Sequence, residues 1–532
     1  MTLFRSIRFC TRYIQNHILD YNVKKCKREF SFTTRSDNNK FDLCPQPVFE
    51  NDISPADSKS NIKSKSKDAK VVIIGAGMAG LAAANCLQKS GMHNYVIIEA
   101  LDRPGGRIFS NWLGDTVVEL GAQWADSCRK PNPILQLAVR DGLVKPPLNK
   151  TDPSRGLFLR SDGTEMNLPL SLAAYEKFKR IWKDANTLME RESENCSQSV
   201  LHSMAVPIQQ ELKLFPKSQR EDAARLFYGL INVTTNRSTK DKYLLVNNHT
   251  GSYIKIPGGL IKVPLGYMGI LSPMLHEIPH EKIIYGKPVY NIIWGNASST
   301  TPKALVKCSD GDEFPADYVL ITIPLGVLQA SAHRMFCPGL PTKKMNAIRT
   351  LCTGHVNKMF LEFEKPFWLW WNIKNKLSWE NEERLERKGW LKGVSRVETM
   401  PGSDHVISVH TEGPEVLEME KMCEADVLRD ISEFLSGCAG NSDIPKPIRM
   451  KRSLWSDDQY FNGSHTYLHD FSDVSLQEDL ATPVPGPTDP VPPVLLFAGE
   501  ATYPGQVATV LGAKMSGIRE AMRISSLASS IQ

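Results

Sequence analysis

The sequence has no apolar run long enough to cross a bilayer. Its most apolar stretch, Val71 to Leu87, is broken by a glycine turn, so no transmembrane segment is expected. It has no C-x-x-C pair, and its eleven cysteines are scattered. An odd, unpatterned set argues against a disulfide framework or a zinc cluster and for reduced thiols. No metal site is expected. Net charge is also lacking outside the first segment. Residues 1–40 carry nine Lys/Arg against three Asp/Glu, and the remainder holds 55 of each sign. Charge therefore gives nucleic-acid binding no support. No internal repeat is evident, which excludes a solenoid.

The basic segment has its own character. Met1 to Arg35 is rich in Arg, Lys, Ser and Thr, with Leu3, Phe4, Ile7 and Phe9 set among Arg5, Arg8 and Arg12. It resembles a mitochondrial transit peptide, with a processing site at Arg28-Glu29-Phe30-Ser31. The alternative is a basic tail on a cytoplasmic protein. Ser530-Ile531-Gln532 is not a peroxisomal address. Ser54 to Lys67 reads as a Ser/Lys-rich linker, so residues 1–68 are taken as leader and linker.

What is present begins at Lys70. Val71 to Ile74 is a β-branched run expected to be a strand buried on both faces. Gly75, Gly77 and Gly80 then form G-x-G-x-x-G, and Met78 and Ala79 lie in the opening turn of a helix. Such a turn lets a pyrophosphate approach the backbone, where the helix N-terminus offers unpaired N–H groups. A second strand, Tyr95 to Ile98, ends in Glu99-Ala100, placing an acid where it would accept hydrogen bonds from a ribose. Glu99 disfavours a 2′-phosphate. A second glycine pair with an arginine follows, Arg103-Pro104-Gly105-Gly106-Arg107. It adds backbone donors and a guanidinium for phosphate.

Helical spacing marks Leu168 to Glu192 and Gln209 to Leu230. Strand character marks Lys282 to Tyr285, Val289 to Trp294, Ala304 to Cys308, Tyr318 to Ile323, Val356 to Phe363 and His405 to His410. Thr482 to Pro493 carries six prolines and reads as a surface loop. Val494 to Ala498 is the last buried strand and Gly512 to Ser525 the last helix. The expected class is α/β with two domains. A Rossmann-like dinucleotide-binding domain is built from residues 69–150, 251–330 and 451–525, and a substrate domain from 151–250 and 331–450.

The glycine turn, the G-G-R element and Glu119-Leu120-Gly121-Ala122-Gln123-Trp124 together resemble the flavin-containing amine oxidases. Gly258-Gly259-Leu260, Lys287-Pro288-Val289, Thr322 to Leu328, His355 to Phe363, Trp455, Phe497 to Thr502 and Ser516 to Ala521 extend the resemblance. It covers about Lys70 to Ile524 and is nearest the spermine and polyamine oxidase branch. The resemblance implies FAD and oxidation of a primary or secondary amine by hydride transfer to flavin N5, with O₂ reduced to hydrogen peroxide. It implies that Gly121, Ala122, Gln123 and Trp124 line the flavin, that the Val289 backbone meets the adenine, and that Trp455 lies near the flavin ring. It further implies that Glu500, Thr509 and Val510 contact FAD and that Lys358 is the catalytic lysine, holding a water. Alternation puts Lys358 on one face with Val356, Phe360 and Glu362, the less apolar side. No cysteine lies between Gly499 and Gly517, so the FAD is expected to be non-covalent.

The substrate side departs from the family pattern. His465 and Gln506 stand where aromatic rings are expected, Leu511 replaces one histidine, and Asp126 stands at the place of another in Trp124-Ala125-Asp126-Ser127. Two readings stay open. In one, the protein is an active amine oxidase, of a polyamine or, given these departures, of an amine that is not an ordinary polyamine, which His465 and Gln506 read through hydrogen bonds. In the other, it binds FAD without that activity.

Overall fold

The computed structural model describes residues 69–126, 133–140, 157–160, 164–191, 200–234, 260–262, 266–295, 302–369, 375–377, 389–400, 402–439, 443–467 and 475–529. The leader and linker at 1–68, Ser127, and the glycines of Gly258-Gly259-Leu260 lie outside the described residues.

The first strand, Val71–Ile74, sits at the centre of a five-stranded parallel sheet. On one side it pairs with Tyr95–Ile98, which pairs in turn with Ile283–Ile284. On the other it pairs with Tyr318–Ile321, which pairs with Leu495–Phe497. Period-two alternation then divides the core. Val71 and Ile73 pack with the helices Met78–Lys89 and Val510–Ser529, whereas Val72 and Ile74 pack with Val319, Ile321, Leu328 and Phe497. The two helices approach so closely that a Cβ on Gly517 would stand 2.1 Å from the Ala79 carbonyl oxygen. The chain leaves the central strand to one side and returns on the other, so the sheet reverses its order between Val71–Ile74 and Tyr318–Ile321. Parallel sheets bind ligands beyond the carboxyl ends of the strands at such a point.

A six-stranded sheet runs in the order Arg449–Arg452, Val356–Glu362, Val406–Glu412, Val394–Thr399, Asn375–Leu377, Leu157–Leu159. Met359, Leu361 and Phe363 face a cluster shared with the helix Glu424–Ala439. Phe360 faces the other way, into a cluster with Leu113, Val118, Leu120 and Trp455. A helical layer of Leu168–Arg191, Val200–Leu214 and Arg220–Thr234 packs around Phe178 and Phe227. Among the described residues no helix is long and apolar enough to cross a membrane.

Three expectations need correction. The helical pattern of Gln209 to Leu230 is two helices, because Pro216 cannot donate and pushes Phe215 out of helical geometry. The strand read as Tyr318 to Ile323 stops at Ile321: the Thr322 N–H and hydroxyl turn onto the Ile74 carbonyl, at 3.1 and 2.6 Å. The proline-rich loop is not wholly on the surface. Val484 is buried and exchanges backbone hydrogen bonds with Leu495.

Candidate active site

The glycine turn leaves the carboxyl end of the central strand. Gly75 N–H donates to the Ile98 carbonyl at 2.8 Å, and Leu81 N–H to Gly77 at 3.0 Å opens the helix that carries Met78, Ala79 and Gly80. A Cβ on Gly80 would sit 2.0 Å from the Gly75 oxygen, so only glycine lets this helix start so near the strand. A Cβ on Gly77 would meet nothing within 4 Å. The second glycine turn lies alongside: Gly105 N–H donates to Ala76 at 2.8 Å, and Gly106 approaches Gly77. Arg103 supports that turn from behind, donating to the Gly106 carbonyl at 2.9 Å with its guanidinium 3.9 Å from the Phe109 ring centre.

Glu99 ties these pieces together. Its carboxylate accepts the Ala76 N–H at 2.6 Å and the Leu101 N–H at 3.0 Å, with Ala100 between. Its carbonyl accepts the Lys287 N–H at 2.8 Å, which brings the Lys287-Pro288-Val289 segment to the same edge. Burial pushes the Glu99 carboxyl up, opposed by those two hydrogen bonds and by the Arg103 charge. A carboxylate has about four acceptor positions, so two hydrogen bonds leave capacity for hydroxyls.

The second cluster joins segments far apart in sequence. Arg107 Nη1 donates to Glu500 Oε1 at 3.0 Å and to the Ser464 carbonyl at 3.1 Å. Glu500 also accepts the Thr466 hydroxyl and the Ala508 N–H, each at 2.8 Å. Burial raises the Glu500 carboxyl, but the Arg107 charge and these donors outweigh it and hold the group below the ordinary carboxylate range. Thr509 caps the C-terminal helix by accepting Gly512 N–H at 2.9 Å while donating to the Gln506 carbonyl at 2.7 Å. Val510 opens that helix, and Gln506 is buried against its start.

Lys358 meets this assembly from the six-stranded sheet. Its ammonium donates to the Gly121 carbonyl, and Trp455 Nε1 donates to the neighbouring Leu120 carbonyl at 3.1 Å. Gly121 and Ala122 fold back on the Arg107 carbonyl, with Ala122 N–H donating to it at 3.2 Å. Gln123 is buried, and Trp124 begins a short strand paired with Leu260–Lys262. Lys358 shares its face with Val356, Phe360 and Glu362 as alternation predicts: Val356 and Lys358 are half-buried, Phe360 is buried, and Glu362 is paired with Arg449.

His465 lies between Ser464 and Thr466, so it is part of the Arg107–Glu500 cluster. Its Nδ1 is 2.9 Å from Ser464 Oγ. Burial pushes its pKa down to about 4, with Glu500 opposing and Arg107 and His355 reinforcing, so the imidazole is neutral at pH 7. Leu511 packs into the core beside the helix Met78–Lys89.

A crevice opens at the carboxyl ends of Tyr318–Ile321 and Leu495–Phe497, lined in part by Arg107, Thr322, Gly499 and Glu500. A Cβ on Gly499 would again meet nothing within 4 Å. Open glycines, a buried acid with spare acceptors and an adjoining cationic side chain fit a dinucleotide laid across the sheet's reversal point.

Comparison with known proteins agrees. The model of flavin containing amine oxidoreductases matches residues 78–525. The chain belongs to this family. It is 32% identical over 486 residues to the peroxisomal N(1)-acetyl-spermine/spermidine oxidase of Bos taurus, covering 86% of this chain and 95% of that one. It is 26% identical over 512 residues to polyamine oxidase 1 of Oryza sativa subsp. japonica, covering 86% and 97%. A solved variant of putrescine oxidase shares the fold, with TM-score 0.60 at 18% identity, covering 86% of this chain and 99% of that one. As a flavin-containing amine oxidoreductase, the protein is an FAD-dependent amine oxidase of mixed α/β fold that oxidises a small-molecule amine with O₂.

Sequence reasoning missed the polar side chains that fasten these elements. Thr466, in a three-residue strand, and Ser464, just before it, carry no signal. Ser453, whose hydroxyl accepts the Lys358 N–H at 3.0 Å, is an ordinary serine until the two strands pair.

Replacing Glu99 by alanine removes two backbone hydrogen bonds and the spare acceptors at once. We expect FAD affinity to fall by about 1.5–3 kcal/mol, the scale for hydrogen bonds to a charged group. Titration of the deflavinated variant with FAD checks this, and unchanged affinity refutes the assignment.

Proposed function

We propose that the substrate is a polyamine: spermine, spermidine or an N-acetyl derivative. One observation carries the reading. Lys358 and Trp455, from two different segments, fasten side by side on consecutive carbonyls of Leu120 and Gly121, in the stretch that resembles the flavin-lining element. The likeness to the N(1)-acetyl-spermine/spermidine oxidase of Bos taurus and to polyamine oxidase 1 of rice supports it.

In this reading Gly75, Gly77, Met78, Ala79, Gly80, Gly106 and Arg107 receive the pyrophosphate and Glu99 and Ala100 the ribose. Val289, Gly121 to Trp124, Glu500, Thr509 and Val510 line the rest of the cofactor, held without a covalent bond. Bound FAD supplies a two-electron acceptor that O₂ reoxidises, giving hydrogen peroxide. The chain's own residues orient the amine. His465, neutral at pH 7, offers one nitrogen lone pair, and Gln506 offers an amide, to hydrogen-bond the substrate's nitrogen groups. Lys358 would hold a water by its ammonium against flavin N5, placed to take the proton that the amine gives up as it is oxidised. Residues 69–150, 251–330 and 451–525 make up the FAD domain, and 151–250 and 331–450 the substrate domain.

The substitutions at His465, Gln506 and Leu511 favour the second reading, a flavoprotein that acts on another amine or on none. Anaerobic mixing with spermine, spermidine and their N-acetyl forms separates the two. Bleaching of the oxidised flavin band by one of them is the expected result. A yellow protein that stays oxidised with all four classes refutes the polyamine reading.

A further inference from the structure

Glu420 is buried on the short helix Glu415–Lys421, whose C-terminal end packs behind the lysine strand. Sequence gives it no role. Its carboxylate accepts three hydrogen bonds. Oε1 takes Asn357 Nδ2 at 3.0 Å, and Oε2 takes the backbone N–H groups of Ser456 and Asp457 at 2.8 and 2.9 Å. Asn357 directly precedes Lys358, and Ser456 directly follows Trp455. The orientation of the Asn357 amide is fixed by its surroundings, because the same Nδ2 also donates to the Ser453 carbonyl. Ser453 in turn exchanges two bonds with Lys358: its N–H donates to the Lys358 carbonyl and its hydroxyl accepts the Lys358 N–H, both at 3.0 Å.

The helix is clamped from the other side. Arg452, opposite Met359 in the sheet, donates to the Met419 and Met422 carbonyls at 2.7 and 2.6 Å. His355 adds a contact from its Nδ1 to Ser456 Oγ at 2.9 Å. Burial and the Asp457 charge push the Glu420 carboxyl up, and the three donors oppose them; those donors favour the ionised form, since a protonated one would leave its own O–H unsatisfied.

We infer that Glu420 is a positioning residue for the oxidation: its carboxylate fixes the spacing between Lys358 and Trp455 by holding Asn357 and the Ser456–Asp457 turn in one grip. It touches neither substrate nor cofactor and acts through Asn357 and the turn. This rests on the proposed amine chemistry for its rate readout, but not for its structural one.

The charge requirement gives a specific test. Glu420→Gln keeps the shape. Its one amide oxygen, without the full charge, holds the two backbone N–H groups more weakly, and its NH₂ then opposes the Asn357 NH₂. Asn357 cannot rotate to compensate without abandoning Ser453. In the FAD-loaded protein, Glu420→Gln is expected to slow anaerobic flavin reduction at least ten-fold, with FAD content unchanged and the visible flavin bands shifted. Amide hydrogen exchange at Ser456 and Asp457 is expected to quicken at least ten-fold. Leu435→Ala, in the hydrophobic cluster on the neighbouring helix, lowers stability without moving these readouts. A Glu420→Gln protein with the wild-type reduction rate and flavin spectrum overturns the inference. Were no amine to reduce the wild type, the function proposed above would fail alone. The flavin spectrum and the two amides would then decide: shifted bands with faster exchange support Glu420, and wild-type values overturn it.

Discussion

Replacing Lys358 by methionine is expected to slow flavin reduction by the best amine about a hundred-fold, while FAD stays bound. The magnitude is the lower end for loss of one group positioned for proton handling. Methionine matches the length and apolar stem, so Phe360 and Trp455 keep their packing. What disappears is the ammonium and its hydrogen bond to the Gly121 carbonyl. Neither belongs to the glycine turns or the Glu99 and Arg107 groups, so cofactor content should hold. Stopped-flow absorbance at the oxidised flavin band gives the rate, and the same band before mixing gives the content. An unchanged rate removes Lys358 from the chemistry. Loss of FAD would show that the lysine is chiefly a fastening between the lysine strand and Gly121.

Glu500→Ala is expected to cost about 3 kcal/mol of stability, together with loss of FAD. Breaking a buried ion pair from one side leaves the other charge uncompensated, at about 3–5 kcal/mol. The lower figure applies because the Arg107 side chain retains 25% of its exposure while Glu500 retains 7%. The Thr466 hydroxyl and the Ala508 N–H lose their acceptor as well. The sign with pH follows from the depressed folded carboxyl. An acid held below its unfolded value of about 4.3 contributes stability above that value and loses it as pH falls through the folded pKa. The wild type should therefore lose stability and flavin as pH drops below about 4, and Glu500→Ala should be weakened already at neutral pH, with a flatter acid limb. Thermal melts from pH 3 to 8 with flavin release as a second probe measure both. Equal melting temperatures at pH 7 would mean that the Arg107 cluster relaxes into solvent without cost.

The opening segment of the folded body, Val71 to Glu99, shows how far sequence carries. Val71–Ile74, the glycine turn, the helix Met78–Lys89 and the strand ending before Glu99 follow from local rules: β-branched strands, glycine where the backbone must approach, and helix start after a turn. The strand at Val356–Glu362 was legible for the same reason. The Gln209 to Leu230 pattern failed because apolar spacing persists across Pro216, although backbone hydrogen bonding does not.

By itself, then, the sequence determined the dinucleotide turn, the acid that follows it, the lysine strand and the flavin amine oxidase character. These depend on contacts within a few residues or on ordered motifs. Only the tertiary structure decided which groups act together. Arg107 lies 393 positions from Glu500, Lys358 lies 237 from Gly121, and Trp455 lies 335 from Leu120. No periodicity encodes such pairs. A buried carboxylate or ammonium is tolerated only where folding brings donors or acceptors to satisfy it, and at Glu500, Lys358 and Glu420 those partners arrive from strands and turns distant in the chain.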